Sequence, residues 1–127
     1  MSEHDEQKAF FDYVRFKARS DDRYSMIFAV PNAAKRSMRL AKYMKAEGLE
    51  AGVPDIACMM PSKRFEGREI VTKYHGLFME LKAAKGKPTL NQKEWLAKLN
   101  KYGYYATVAY GADRAIEILE DYLKGEL

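Results

Sequence analysis

Two short segments carry residue types that could perform chemistry together: Val53-Pro54-Asp55 and Glu80-Leu81-Lys82. Asp55 precedes the apolar stretch Ile56-Ala57-Cys58-Met59-Met60, where a carboxylate is costly to bury unless something compensates it. Glu80 interrupts the most hydrophobic strand-like run of the chain, between Met79 and Leu81. Side chains alternate along a strand, so Glu80 and Lys82 point to one side, roughly 7 Å apart. A carboxylate and an ammonium so placed can share one reacting centre. A divalent cation held by Asp55 and Glu80 would offset the burial cost of both acids, and hard oxygen ligands favour Mg2+ or Mn2+. Each segment alone is unspecific. Aspartate after proline commonly caps a turn, and a Glu/Lys pair two residues apart is commonly an exposed ion pair of little worth.

The elements that must position these residues follow from hydropathy pattern and turn chemistry. Residues 3–19 read as an amphipathic helix, with Ser2 as its N-cap and Phe10, Phe11, Val14 and Ala18 on one face. Residues 24–30 form an uncharged run ended by Pro31-Asn32 and are expected to be a strand. A basic helix is expected over 34–47, with Met38, Leu40, Ala41 and Met44 as its apolar positions and Gly48 as its stop. A glycine-punctuated loop then delivers a strand at 55–60. Residues 61–73 are polar and basic around Gly67 and read as a loop or irregular hairpin. The strand at 74–83 alternates Leu77, Met79 and Leu81 against Phe78, Glu80 and Lys82. A helix follows over 89–102, with Leu90, Trp95, Leu96 and Leu99 inward, then a strand at 105–110 and a final helix over 112–124. The order αβαββαβα predicts an α/β fold, a mixed β-sheet flanked by helices.

Composition bounds the rest. At 127 residues and 47% hydrophobic, the chain has material for one compact core and one domain spanning 1–127. Residues 24–34 are too few to cross a bilayer, and the acidic N-terminus lacks the apolar segment of a secretory signal. One cysteine, Cys58, excludes an internal disulfide framework, and with only His4 and His75 beside it a structural zinc site is not expected. A reducing, cytoplasmic setting follows. Residues 35–101 carry 15 Lys/Arg against 7 Asp/Glu, between acidic ends. A basic middle suits a polyanion, of which nucleic acid is the commonest.

The pattern Pro54-Asp55 … Glu80-Leu81-Lys82 resembles the PD-(D/E)xK nuclease signature. The wider sequence resembles the VRR-NUC branch of that superfamily over nearly the whole chain. Carrying this are Glu3-His4-Asp5-Glu6-Gln7, Val30-Pro31-Asn32 and Gly48-Leu49-Glu50-Ala51-Gly52-Val53-Pro54-Asp55. They continue in Phe78-Met79-Glu80-Leu81-Lys82, Leu90-Asn91-Gln92-Lys93-Glu94-Trp95 and Gly103. A bare PD…ExK is weak, but these blocks in order are specific. The family's block near the C-terminal strand is matched only loosely by residues 107–114, and no chemistry is assigned there.

The resemblance implies a restriction-endonuclease-like core and metal-dependent hydrolysis of DNA phosphodiesters with Mg2+ or Mn2+, one or two ions per site. Asp55, Glu80 and the backbone carbonyl of Leu81 would be metal ligands, and Lys82 would position or activate the attacking water. An acid on the first helix completes the set, and Glu3 and Glu6 are both candidates. Counted from Phe10 at about 100° per residue, Glu3 and Gln7 extend the apolar face while Glu6 falls to one side of it, so helical phase favours Glu3. Gln92 stands where related nucleases carry a polar residue aimed at the site. DNA contacts are expected from Asn32, Lys35, Arg36 and Arg39, and from Lys85 and Lys87, which directly follow the active-site strand. Short stand-alone members of the family, largely phage and bacterial, are associated with homodimers that cut branched DNA such as Holliday junctions. This chain resembles them in length, which implies the cytoplasm of a bacterial or phage-infected cell. Phe65, Ile70, Val71 and the Tyr102, Tyr104, Tyr105 cluster are candidates for a dimer surface. Competing readings are a DNA-binding or scaffolding module with structural acids, and an RNA-directed nuclease of the same fold.

Overall fold

The computed structural model describes residues 1–31 and 37–127. Asn32, Lys35 and Arg36 lie outside the described residues. Helix α1 (Glu3–Ala18) starts at a reciprocal capping box: the Ser2 hydroxyl accepts from the Asp5 N–H, and the Asp5 carboxylate accepts from the Ser2 N–H. Strand β1 (Ile27–Ala29), helix α2 (Met38–Ala46) and strand β2 (Ile56–Cys58) follow. The hairpin β3 (Ser62–Glu66) and β4 (Glu69–Tyr74) leads to the central strand β5 (Leu77–Lys82). Helix α3 (Leu90–Lys101), strand β6 (Tyr105–Tyr110) and helix α4 (Ala112–Leu123) complete the chain.

The main sheet has the order β1-β2-β5-β6. β2 pairs antiparallel with both β1 and β5, whereas β5 and β6 run parallel, joined by α3 as a crossover. Register places Ile56 opposite Met79 and Cys58 opposite Leu77, so these side chains share a face with Leu81. That face meets Phe10, Phe11 and Val14 of α1 and Ala115, Ile118, Leu119 and Tyr122 of α4 in one apolar core. The opposite face of β5 bears Phe78, Glu80 and Lys82, of which Glu80 meets Gln92 of α3. The architecture is the mixed sheet between helices that the element order predicts.

Three local expectations are corrected and one is narrowed. The first half of the run 24–30 is a 3-10 turn, Asp22–Met26, and only Ile27–Ala29 is strand. Asp21 caps that turn, and the Tyr24 hydroxyl donates at 2.6 Å to Glu120 of α4, which also accepts from Tyr13 of α1 at 2.6 Å. Residues 61–73 are, of the two forms expected, the irregular hairpin: a separate two-stranded sheet with one register shift at Ser62/Lys63. Gly67 takes φ 62° in its two-residue loop, a conformation that suits glycine. Tyr74 closes this hairpin, so the central strand starts at Leu77 rather than at 74. Finally, α2 buries none of its residues, and Leu90 is 70% exposed instead of facing inward. The buried residue of α3 is Gln92.

Candidate active site

Asp55 sits where β2 begins, just after a loop that presses against α3. At Gly52 (φ +87°) a Cβ would lie 2.8 Å from the Asn91 backbone, so only glycine allows this approach. β2 pairs with β5 no further than Met79. Beyond that point the Asp55 carboxylate takes the place of a strand partner: its Oδ2 accepts from the Leu81 N–H at 3.0 Å. One side chain thereby fastens the Pro54-Asp55 corner to the Glu80-Leu81-Lys82 segment.

Glu80 is 1% exposed. Its Oε1 accepts from the Gln92 side-chain amide at 2.9 Å and lies 3.6 Å from the Lys82 ammonium. Its Oε2 is buried and, among the described residues, has no hydrogen-bond partner. Burial, then the negative charge of Asp55, push the Glu80 carboxyl up to about 8 from its ordinary 4.5, with Lys82 pulling the other way. An orphaned carboxylate oxygen beside a second carboxylate is a site that wants a cation, and the donor set, all oxygen, suits Mg2+ or Mn2+. Among the described residues no third His, Cys, Asp or Glu joins the pair as a ready cluster. The remaining ligands would be backbone carbonyl and water, consistent with the habit of Mg2+ of keeping several waters.

Lys82 is buried and reaches Glu3 on α1, with 4.0 Å between Nζ and the Glu3 Oε1, as well as Glu80. Its stem runs under Gly86, where a Cβ would meet the Lys82 Cδ at 3.2 Å. The two acids of α1 thus separate. Glu3 faces Lys82, while Glu6 Oε2 accepts at 2.5 Å from the N–H of Ala112, the first residue of α4. Gly111, the N-cap of α4, has no side chain to do this, so α1 supplies the cap.

Gln92 does two jobs at once. Its backbone N–H donates to the Thr89 hydroxyl at 3.2 Å and its Oε1 accepts from the Thr89 N–H at 2.8 Å, which leaves the amide N–H2 aimed at Glu80. The spacing Thr89-x-x-Gln92 is a capping-box signal, and Gln92 also points at the site, as the resemblance implies. Lys85 and Lys87 are exposed on the turn after β5, and Arg39 is exposed on α2. A cleft of about 630 Å3 opens beside Asp55 and runs along α1 past Glu3, Gln7 and Phe11 to Arg15. Its basic α1 residues, Lys8 and Arg15, were missed in the sequence because they alternate with acids and stand outside the basic middle.

Two acids and a lysine converging at the end of the central strand of a mixed sheet fit the PD-(D/E)xK nuclease core. The VRR-NUC domain family model matches residues 1–113. A solved structure described as a VRR_NUC domain protein aligns with TM-score 0.75 and 26% identity, over 98% of this chain and 89% of that one. No curated protein matches the chain. The chain belongs to the VRR-NUC domain family, and its fold is of nuclease type.

Proposed function

We propose that this protein is a metal-dependent, structure-selective DNA endonuclease acting on branched DNA such as a four-way junction or flap. The observation that carries this reading is the buried Asp55–Glu80 carboxylate pair, with one orphaned oxygen, beside a buried lysine. Asp55, Glu80 and the Leu81 carbonyl would hold one or two Mg2+ or Mn2+ ions, which polarise a phosphoryl oxygen and acidify bound water.

The chain's own residues do the rest. The Leu81 N–H fixes the Asp55 carboxylate, and Gln92 fixes that of Glu80, so neither acid must reorganise during reaction. Lys82 brings positive charge to where negative charge grows on the phosphoryl oxygens in the transition state, so it acts on turnover more than on binding. Glu3 keeps the Lys82 ammonium in place and offers a proton acceptor at the mouth of the site. Arg39, Lys85 and Lys87, with Asn32, Lys35 and Arg36, would grip flanking phosphates, which position the DNA without reading sequence.

Cutting a four-way junction symmetrically needs two sites related by a twofold axis, which a homodimer supplies. The cross-strand pair Phe65 and Ile70, 76% and 60% exposed on the β3–β4 hairpin, offers apolar surface for it. Such an enzyme would work in the cytoplasm of a bacterial or phage-infected cell. Among the described residues no helix is long and apolar enough to cross a membrane.

The test is incubation of the purified protein with labelled four-way junction, flap, linear duplex and structured RNA in Mg2+, Mn2+ or EDTA. Metal-dependent cutting of the branched DNA is expected. Equal cutting of linear duplex would overturn the structure selectivity, preferred cutting of RNA would overturn the substrate, and activity in EDTA would overturn the metal requirement.

A further inference from the structure

We infer that the cleft along α1 binds an unpaired DNA strand as it leaves the scissile phosphate, a reading that rests on the nuclease proposal. The cleft begins at Asp55 and Glu3, and beside Gln7 its α1 side carries a row of four, His4, Lys8, Phe11 and Arg15, with Pro31 opposite. At roughly 100° per residue these four α1 side chains fall within about 60° of arc, so they form one stripe. From His4 to Arg15 the stripe rises roughly 17 Å, the axial length of roughly five nucleotides in a duplex strand.

The chemistry of the stripe matches a single strand. Lys8 and Arg15 supply charge for two phosphates, and His4 supplies a ring N–H donor. Val30 and Pro31 on the opposite wall give bases an apolar edge, and a basic groove beside such an edge suits an unpaired strand. The cavity volume of about 630 Å3 lies in the range that takes drug-sized molecules, and a nucleotide is of that size. The Arg15 guanidinium lies 5.9 Å from the ring centre of Phe11, which is buried in the core, so Arg15 stands over the apolar floor of the cleft. The Lys8 ion pair with Asp12, at 3.2 Å, is solvent-exposed on both sides and weak enough for a phosphate to replace it. A branch point is where a duplex gives way to a strand that can splay, so a cleft that prefers unpaired DNA next to Asp55 would select for branched substrates.

The test is fluorescence anisotropy with a labelled 12-mer of thymidylate, and with a blunt duplex of equal length, across a salt series in EDTA, where no cutting occurs. The double variant Lys8→Ala/Arg15→Ala is compared with Lys98→Ala/Lys101→Ala, an equal charge change in the last turn of α3, at the far end of that helix from Gln92. Losing two phosphate contacts should flatten the log–log salt slope for the single strand by about 1.4, and weaken binding about 25-fold at 0.1 M salt when referred to 1 M. The α3 variant and the duplex should change by much less. Equal losses in both variants, or an equal loss on duplex, would overturn the cleft as an unpaired-strand site. Cutting of a junction by wild-type protein in Mg2+ or Mn2+ is read separately. Failed cutting with the slope difference intact defeats the nuclease reading alone, and cutting without the slope difference defeats this inference alone.

Discussion

Replacing Glu80 by Gln keeps the shape of the side chain and removes a charge held where water does not reach. The Glu80 carboxyl titrates near 8 in the fold and near 4.5 when unfolded. An acid raised in this way opposes folding whenever it is ionised. Its cost is absent below the unfolded value, grows as pH rises between the two values, and is complete above about 8. At about 1.4 kcal/mol for each pH unit the gap sets an upper bound of about 5 kcal/mol, which relaxation and water entry reduce to a few kcal/mol. The glutamine oxygen can still accept from Gln92, and its N–H2 would face Asp55 where the orphaned Oε2 now lies. Urea unfolding in EDTA should therefore find Glu80→Gln more stable than wild type by about 2–4 kcal/mol at pH 8, with the difference nearly gone at pH 4.5. Millimolar Mg2+ or Mn2+ should stabilise wild type and not the variant, and nuclease activity should be lost. A variant no more stable than wild type at pH 8 would refute the claim that this carboxylate is held at a cost that a cation relieves.

Lys82→Ala should keep junction binding within about threefold in Ca2+ while turnover falls at least about 100-fold, the scale for losing a transition-state charge; binding and turnover falling together would make Lys82 a phosphate anchor. Glu6→Ala should lower stability by about 1 kcal/mol because α4 loses its cap, while Glu3→Ala should leave urea stability nearly unchanged and reduce turnover. The reverse pattern would exchange the two roles. Gln92→Ala should cost about 1–2 kcal/mol through the capping box and lower turnover through Glu80, so an unchanged thermal midpoint or unchanged turnover would contradict its dual contact.

The strands and helices that build the core were legible because their burial is one-sided and periodic. Leu77, Met79 and Leu81 against Phe10, Phe11 and Val14 are local patterns that need no knowledge of partners. Asp55, Glu80 and Lys82 stood out for the opposite reason, as charges in apolar runs, and the structure brings them together at one end of β5. What escaped depends on contacts distant in sequence. Tyr24 belongs to a turn because its hydroxyl reaches Glu120, 96 residues away. Apolar periodicity places Leu90 inward, yet the polar Gln92 takes the buried position because it satisfies both Thr89 and Glu80. The β3–β4 hairpin is exposed on most of both faces and so lacks the alternation that would have fixed its strands. Glu6 shows its capping role only once α4 is seen to start at a glycine.

Asp55 and Glu80 are expected to hold a divalent cation beside Lys82. Calorimetric titration of Mn2+ into wild type, Asp55→Ala and Glu80→Gln at pH 7, repeated in buffers of different ionisation heat, tests it most directly. Wild type should bind with release of nearly one proton per site, because Glu80 is mostly protonated at that pH before the ion enters, and both variants should show neither the binding nor the proton. Binding of equal strength in all three proteins, or binding with no proton released, would contradict the account.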